Sequence, residues 1–390
     1  MRSLAPEVLR RRGGVKWTRH GEDVLPAWVA EMDFPVAVEI VHAVREATER
    51  ELFGYAADQA LADLAAACAG WLGRAHGWAV DPEDVHVVPD ALRGVELGVA
   101  LHSPAGSPVI LPTPAYPPLF EVIAQCGRPV VEAPMTASGR PTLDLDAVAA
   151  AFAAGARTLL LCNPHNPLGT VATADELAAL CAVVDHHGGR VVADEVHAPL
   201  TYAGHRHVPY ASVSPTAAAH TVTVTSASKG WNLPGLKCAQ VVVSNPADRL
   251  SWSALPKLRT WGASTLGVIA GTAAFRHGGP WLADVRAHLV GNRDLLATLL
   301  ADLLPRVVSR PAEGTCLAWL DFRAIDLPAE PAEFFLSEAR VALAEGRDFG
   351  APGHARLTFA TSRPVLARMV QAMAAAAHLS TPPPVTGTPL

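Results

Sequence analysis

The sequence predicts an α/β protein: a three-layer αβα domain built on a mostly parallel sheet, followed by a smaller α+β domain. Three observations carry this prediction. Short β-branched runs recur between alanine-rich stretches of helical spacing. The runs are apolar along their whole length rather than at alternate positions, as in strands covered on both faces. Near residue 280 the pattern changes, and long helical segments flank isolated strand candidates.

In order, the strand candidates are "VHVV" (85–88), "PVIL" (108–111), "TLLLC" (158–162), "RVVAD" (190–194), "TVTVT" (221–225) and "AQVVV" (239–243). Between them, 61–75, 91–101, 144–154 and 173–188 have helical spacing. Asp144 and Thr173 stand where N-caps belong, because a short side-chain oxygen can accept from the free N–H groups of a first turn. Strands and helices alternating in this way make parallel neighbours joined by helical crossovers. Beyond residue 280, 281–304 and 331–343 read as helices, and 316–322 and 355–360 as strands. The predicted organisation is an N-terminal arm with part of the small domain over 1–45, a large domain over 46–280, a small C-terminal domain over 281–378 and a flexible tail over 379–390.

A chain of 390 residues, half hydrophobic and 17% charged, can bury a large core. Its net charge of -6 gives no basic field for nucleic acid or an anionic membrane surface. Arg10–Arg12 read as a solvated helix face. No stretch suits a signal peptide or a membrane span, so a cytoplasmic enzyme or binding protein is expected. Cysteines 68, 126, 162, 181, 238 and 316 lack C-x-x-C spacing, which predicts free thiols and no metal site.

The stretch "TVTVTSASKGWNLPGLKCAQVVVS" (221–244) places Lys229 between two apolar runs. A lysine at the end of a buried strand is expected to be desolvated, which lowers its pKa and makes the amine a nucleophile toward an aldehyde. The structural alternative is a lysine snorkelling out of a strand end. Asp194 ends "RVVAD", where a carboxylate can serve the pyridine nitrogen of pyridoxal phosphate. Asn166, in "CNPHNPLG", can donate to a phenolic oxygen or simply form an Asn-Pro turn. Ser226, Ser228, Lys237 and the helix start in "PDALRG" offer convergent donors for a phosphate.

In this order and spacing the pieces resemble fold-type I pyridoxal-phosphate (PLP) enzymes of the class I/II aminotransferase superfamily, from about Trp28 to Arg363. Within it they most resemble the cystathionine β-lyase (MalY/PatB-type C–S lyase) subfamily, to whose successive blocks "WVAEMDFP", "FGY", "LPTPAYPPLFEV", "LCNPHNPLGTV", "DEVH" and "SASKGWNLPGLK" are similar. The resemblance implies pyridoxal 5'-phosphate as cofactor. Lys229 would carry it as a Schiff base and later move protons, Asp194 would pair with the pyridine nitrogen, and Asn166 would contact the phenolic oxygen. His197 would lie by the cofactor and Tyr116 would stack on its ring. Ala91 and Leu92 would give main-chain donors to the phosphate, joined by Ser226, Ser228 and Lys237. Tyr55 would reach the phosphate of a neighbouring subunit, which implies a homodimer. Arg356, in "HARLTFATSR", would clamp the substrate's α-carboxylate, with Arg363 as the alternative. Lys237 stands where many aminotransferases carry arginine, "PDALRG" lacks the glycine often seen there, and Thr358 replaces a common asparagine in a short loop bordering the substrate pocket.

The activity implied is cleavage of L-cystathionine or a related cysteine S-conjugate to a thiol, pyruvate and ammonia. The rival readings are a PLP-dependent aminotransferase, a decarboxylating variant of specialised metabolism, and a regulatory protein on the same fold. Thiol release without a keto-acid acceptor separates the first from the second. Regulators of this kind carry a basic helix-turn-helix ahead of the fold, and the first family block at Trp28 leaves no room for one.

Overall fold

The computed structural model describes residues 4–136 and 139–380. It divides into two compact units: a larger one, Pro35–Ala287 with Ala312–Thr315, and a smaller one made of the residues up to Phe34, His288–Pro311 and those from Cys316 onward.

The larger unit is built on seven strands: β1 (Val85–Val88), β2 (Val109–Thr113), β3 (Val130–Pro134), β4 (Thr158–Cys162), β5 (Arg190–Asp194), β6 (Thr221–Thr225) and β7 (Ala239–Val243). Their order across the sheet is β1-β7-β6-β5-β4-β2-β3. β7 is antiparallel to both neighbours, and the other pairings are parallel. β2, β4, β6 and β7 are buried along their whole length, which explains their unbroken apolar sequences.

Successive side chains go to opposite faces. Leu160 and Val192 join a core with Val95, Val99, Leu119 and Ile123. Leu159, Leu161, Val191 and Ala193 join another with Val148, Phe152, Leu177 and Leu180. Two apolar faces, each under helices, make the three layers.

The helices predicted at 61–75, 91–101, 144–154 and 173–188 are Asp58–His76, Ala91–His102, Leu145–Ala153 and Ala174–His186. Asp144 caps the third by accepting from the Ala147 amide, and Thr173 forms a capping box with Glu176 at the fourth. β3 was not predicted. It is a half-exposed edge strand with Glu132 at its centre and Pro134 at its end, and an edge tolerates proline without giving an apolar run.

In the smaller unit, Ala344–Glu345, His354–Thr358, Leu317–Asp321 and Val308–Ser309 form an antiparallel sheet in that order. Leu25–Pro26 pairs in parallel with Val341–Ala342. The helix expected over 331–343 stops at Glu338, because Arg340 takes a left-handed φ of 56° and the chain turns into that pairing.

The domain boundaries also differ from expectation. Helix Val38–Glu49 packs on Thr265–His277, so the first division falls after Phe34 rather than at 45. The second falls at Ala287, inside helix Gly279–Leu303, rather than at 280. Of the predicted tail, Leu379 and Ser380 end helix Arg363–Ser380, and 381–390 lie outside the described residues.

All six cysteines are free thiols. Among the described residues no helix is long and apolar enough to cross a membrane, and no cluster of His, Cys, Asp or Glu has the makings of a metal site.

Candidate active site at the carboxyl ends of the central strands

Parallel strands in register end together, so the loops leaving their carboxyl ends gather at one edge of the sheet. Cys162 pairs with Asp194, and Asp194 with Val224. Three adjoining strands therefore deliver the Asn163–Thr170 loop, Asp194 and the turn that carries Lys229.

Asp194 is only 7% exposed. Its carboxylate accepts from the Val196 amide at 3.3 Å, and its carbonyl accepts from the Asn163 amide at 3.0 Å. Burial pushes its pKa up to about 6; the Val196 hydrogen bond and the Lys229 ammonium oppose that rise, while Glu195 adds to it. It is a carboxylate short of positive charge. His197, three residues on, is buried, and its carbonyl accepts from Leu200 in the turn Ala198–Leu200.

The Asn166 loop closes on itself: the His165 amide donates to the Thr170 carbonyl at 2.8 Å, and the Gly169 amide to the His165 carbonyl at 2.8 Å. Gly169 has φ 70°, and a Cβ there would lie 2.7 Å from that of Ala312, so only glycine fits the turn. Asn166 and His165 are both buried. Burial pushes the His165 pKa down to about 4, so the imidazole is neutral near pH 7.

Lys229 sits not at a strand end but inside a one-turn helix, Ala227–Gly230, and is half-buried rather than fully buried. The reason is local. Ser226 caps the turn, accepting from the Ser228 amide at 3.0 Å and donating its hydroxyl to the Cys238 carbonyl at 2.8 Å. The Ser226 hydroxyl thus ties the start of this turn to the backbone at Cys238. Ser228 is half-buried on the same turn. Beyond Lys229, Trp231 is fully buried and donates its indole N–H to the Gly278 carbonyl at 2.8 Å.

Helix Ala91–His102 brings its amino end to the same site. Gly94 and Gly98 let it lie close on the sheet: a Cβ at Gly94 would meet Val224 at 2.9 Å, and one at Gly98 would meet Val192 at 3.0 Å. Asp90 caps it by accepting from the Arg93 amide at 2.9 Å. Ala91 and Leu92 are the first two residues, whose N–H groups have no partner within a helix. Lys237 reaches this end, its Nζ 2.9 Å from Asp90 Oδ2. Burial alone would raise the Asp90 pKa, but the Arg93 hydrogen bond and Lys237 hold it below the usual value. Tyr116 opens helix Pro117–Gln125 after β2 and packs, half-buried, on the core under helix Ala91–His102.

Tyr55 is 98% exposed, its ring centroid 6.2 Å from that of Trp261. Arg356 belongs to the smaller unit. It is buried on His354–Thr358, donates from Nη2 to the Trp28 carbonyl at 2.9 Å, and lies over the Phe349 ring at 5.0 Å. Arg363, its alternative, is exposed at the start of the last helix, with its guanidinium packed on Gly291.

Two residues were missed from sequence. Asp90 could have been found, since an aspartate ahead of a helical run is a capping signal. Glu195 could not: it is buried, accepts from the Tyr210 amide at 2.8 Å and lies 3.3 Å from His207 Nε2, partners distant in sequence.

These features suit pyridoxal phosphate. A buried carboxylate whose pKa is raised by burial despite the Lys229 ammonium matches a protonated pyridine nitrogen, and a helix amino end with a second lysine matches a phosphate. A three-layer sheet with this arrangement at its strand ends is the architecture of the fold-type I PLP-dependent enzymes. Residues 28–373 match the family described as aminotransferase class I and II, and the chain belongs to that family. It is 40% identical to the cystathionine beta-lyase of Corynebacterium glutamicum over 94% of this chain and 97% of that one. It is 32% identical to cystathionine beta-lyase PatB of Bacillus subtilis over 87% and 89%. Among solved structures, a putative PLP-dependent β-cystathionase from Corynebacterium diphtheriae superposes with a TM-score of 0.93 at 41% identity, covering 97% of this chain and 99% of that one.

Proposed function

We infer that this protein is a PLP-dependent carbon–sulfur β-lyase that cleaves L-cystathionine or a related cysteine S-conjugate to a thiol, pyruvate and ammonia. The observation that carries this reading is the near full-length identity to a cystathionine beta-lyase. Pyridoxal phosphate, when bound, supplies an electron-withdrawing ring that stabilises negative charge on the substrate's Cα.

In this reading Lys229 would hold the cofactor aldehyde, and its amine is the group that would take the Cα proton of a bound amino acid. The buried Asp194 would keep the pyridine nitrogen protonated, Asn166 would donate to the phenolic oxygen, Tyr116 would stack on the ring, and His197 would lie by it. The amides of Ala91 and Leu92, with Ser226, Ser228 and Lys237, would grip the phosphate. Arg356 clamps the α-carboxylate and so sets which Cα bond is weakened. The overall reaction takes up one water: the Cβ–S bond breaks, the sulfur leaves with a proton as a thiol, and the three-carbon remainder with its amino nitrogen becomes pyruvate and ammonia.

We further propose a homodimer, in which Tyr55 reaches the partner's phosphate, and a cytoplasmic location. Incubation with cystathionine is expected to release thiol and pyruvate with no keto acid added. A keto-acid requirement with no thiol released would instead assign the aminotransferase reading, which shares the same fold.

A further inference from the structure

The smaller unit buries an ion pair for which the proposed chemistry has no use. Lys16 and Asp33 are 2% and 3% exposed, with Nζ 3.0 Å from Oδ2. Both are hydrogen-bonded elsewhere: Lys16 Nζ donates to the Glu31 carbonyl at 2.9 Å, and Asp33 Oδ1 accepts the Trp17 indole N–H at 2.7 Å. The desolvation cost of such a pair often cancels its attraction, so apolar residues could stabilise the fold as well. What an ion pair adds is a fixed register.

The segment it fixes is Ala27–Asp33, joined repeatedly to the strand that bears Arg356. The Ala27 carbonyl accepts from the Thr358 amide at 2.9 Å, the Val29 carbonyl from the Thr358 hydroxyl at 3.0 Å, and the Ala360 carbonyl from the Asp33 amide at 2.9 Å. Between these anchors the Trp28 carbonyl accepts from Arg356 Nη2 at 2.9 Å. Trp28 is tied back to Lys16, its indole N–H 3.3 Å from the Lys16 carbonyl, and the Arg19 guanidinium covers its ring at 4.8 Å. A guanidinium grips a carboxylate with two prongs only when the plane of its fork is held. Here Phe349 lies against that plane, and the Trp28 carbonyl fixes its rotation.

We propose that Lys16, paired with Asp33, is a positioning residue. It holds the Trp28 carbonyl on Arg356 and thereby aims the guanidinium at the α-carboxylate of the amino-acid substrate. This rests on reading Arg356 as the carboxylate clamp. Sequence alone does not suggest it, because Lys16 and Asp33 look like surface charges on an arm.

The test uses the holoenzyme with Lys16→Met/Asp33→Asn, which removes both charges together, and with Lys16→Arg, which keeps the pair's charge but changes its length. Each is assayed with a cysteine thioether and with its decarboxylated amine. Both variants are expected to raise KM for the thioether, the double variant about tenfold, with a smaller fall in kcat, because a loosely held carboxylate also lets the reacting Cα bond swing out of line. Discrimination against the decarboxylated amine should fall by the same factor. Unchanged KM and discrimination in a folded variant overturn the proposal, and Lys16→Arg decides it if the double variant does not fold. Arg356→Leu separates the two ideas: if it leaves discrimination intact, the clamp reading fails, whereas if it abolishes discrimination and the Lys16 variants do not, the positioning inference alone fails.

Discussion

The ammonium of Lys237 lies 2.9 Å from the carboxylate of Asp90, at the amino end of the helix proposed to receive the cofactor phosphate. The pair is largely exposed, and such pairs are worth about 0–1 kcal/mol, so Lys237 can be drawn from it by a dianion. The carboxylate stays behind, ionised and close to the phosphate. Asp90→Asn keeps a capping oxygen for the Arg93 amide but removes that charge. It is expected to tighten pyridoxal phosphate binding to the apoprotein about three- to tenfold at low salt, and less at high salt. Lys237→Met should weaken binding. Fluorescence titration of apoprotein checks both, and weaker binding by Asp90→Asn would mean that the carboxylate's main service is to hold Lys237 in place.

Asp194 gives a pH dependence opposite to that of a salt-bridged carboxylate. Its folded pKa of about 6 lies above the ordinary aspartate value of 3.8, so between those values the folded state binds more protons than the unfolded one. Stability of the apoprotein from this group therefore falls as pH rises from about 4 to 6 and is flat above. Asp194→Asn removes the buried charge and should stabilise the apoprotein at pH 7 by about 1–3 kcal/mol, with little gain at pH 4. The same variant should lose most of the stabilisation that the cofactor gives the wild type. Thermal unfolding with and without pyridoxal phosphate at both pH values measures this. A destabilised apoprotein at pH 7 would show that the carboxylate is better compensated than its single amide partner implies.

The layered sheet was legible because its information is local. Buried strands such as Thr158–Cys162 are apolar throughout, and Asp144 and Thr173 announce their helices by capping chemistry. Asp194 was legible as a strand-end residue and Asn166 as part of the loop that follows a strand. What sequence hid depends on partners far along the chain: the edge strand Val130–Pro134, the division inside helix Gly279–Leu303, and the tie from the Ser226 hydroxyl to Cys238. Lys229 was placed one step wrong: Ser226 is a capping residue, but a helix of four residues is too short to show helical periodicity.

The Lys229 turn is also tightly packed. A Cβ at Gly230 would lie 2.7 Å from Cβ of Pro199, in the turn just after His197. Gly230→Ala must push apart the two segments that carry Lys229 and His197. A cost of about 1–3 kcal/mol is expected from overpacking, together with a fall in kcat of about tenfold or more, since small displacements of a reacting group are amplified in rate. Thermal unfolding and steady-state kinetics test the two parts separately. An unchanged kcat would place the strain in Pro199's turn rather than in that of Lys229.

Large apolar side chains stand exposed on the larger unit. Phe53, Tyr55, Leu258 and Trp261 are between 60% and 98% exposed, and the Tyr55 and Trp261 rings lie against each other. The Thr265 hydroxyl holds the Gly54 carbonyl at 2.6 Å, so the segment that presents Tyr55 is fastened. Apolar side chains gathered on a fastened segment are costly in water unless another surface covers them. In the proposed dimer a second copy of the chain would cover them, and the Tyr55 hydroxyl would donate to the partner's phosphate. Sedimentation should therefore give twice the chain mass, and Trp261→Glu should shift the protein toward monomer and weaken cofactor binding together. Tyr55→Phe should keep the dimer and weaken cofactor binding about tenfold or more, the worth of one hydrogen bond to a charged group. A Tyr55→Phe dimer with unchanged cofactor affinity would remove Tyr55 from the phosphate site and leave it a packing residue of the interface.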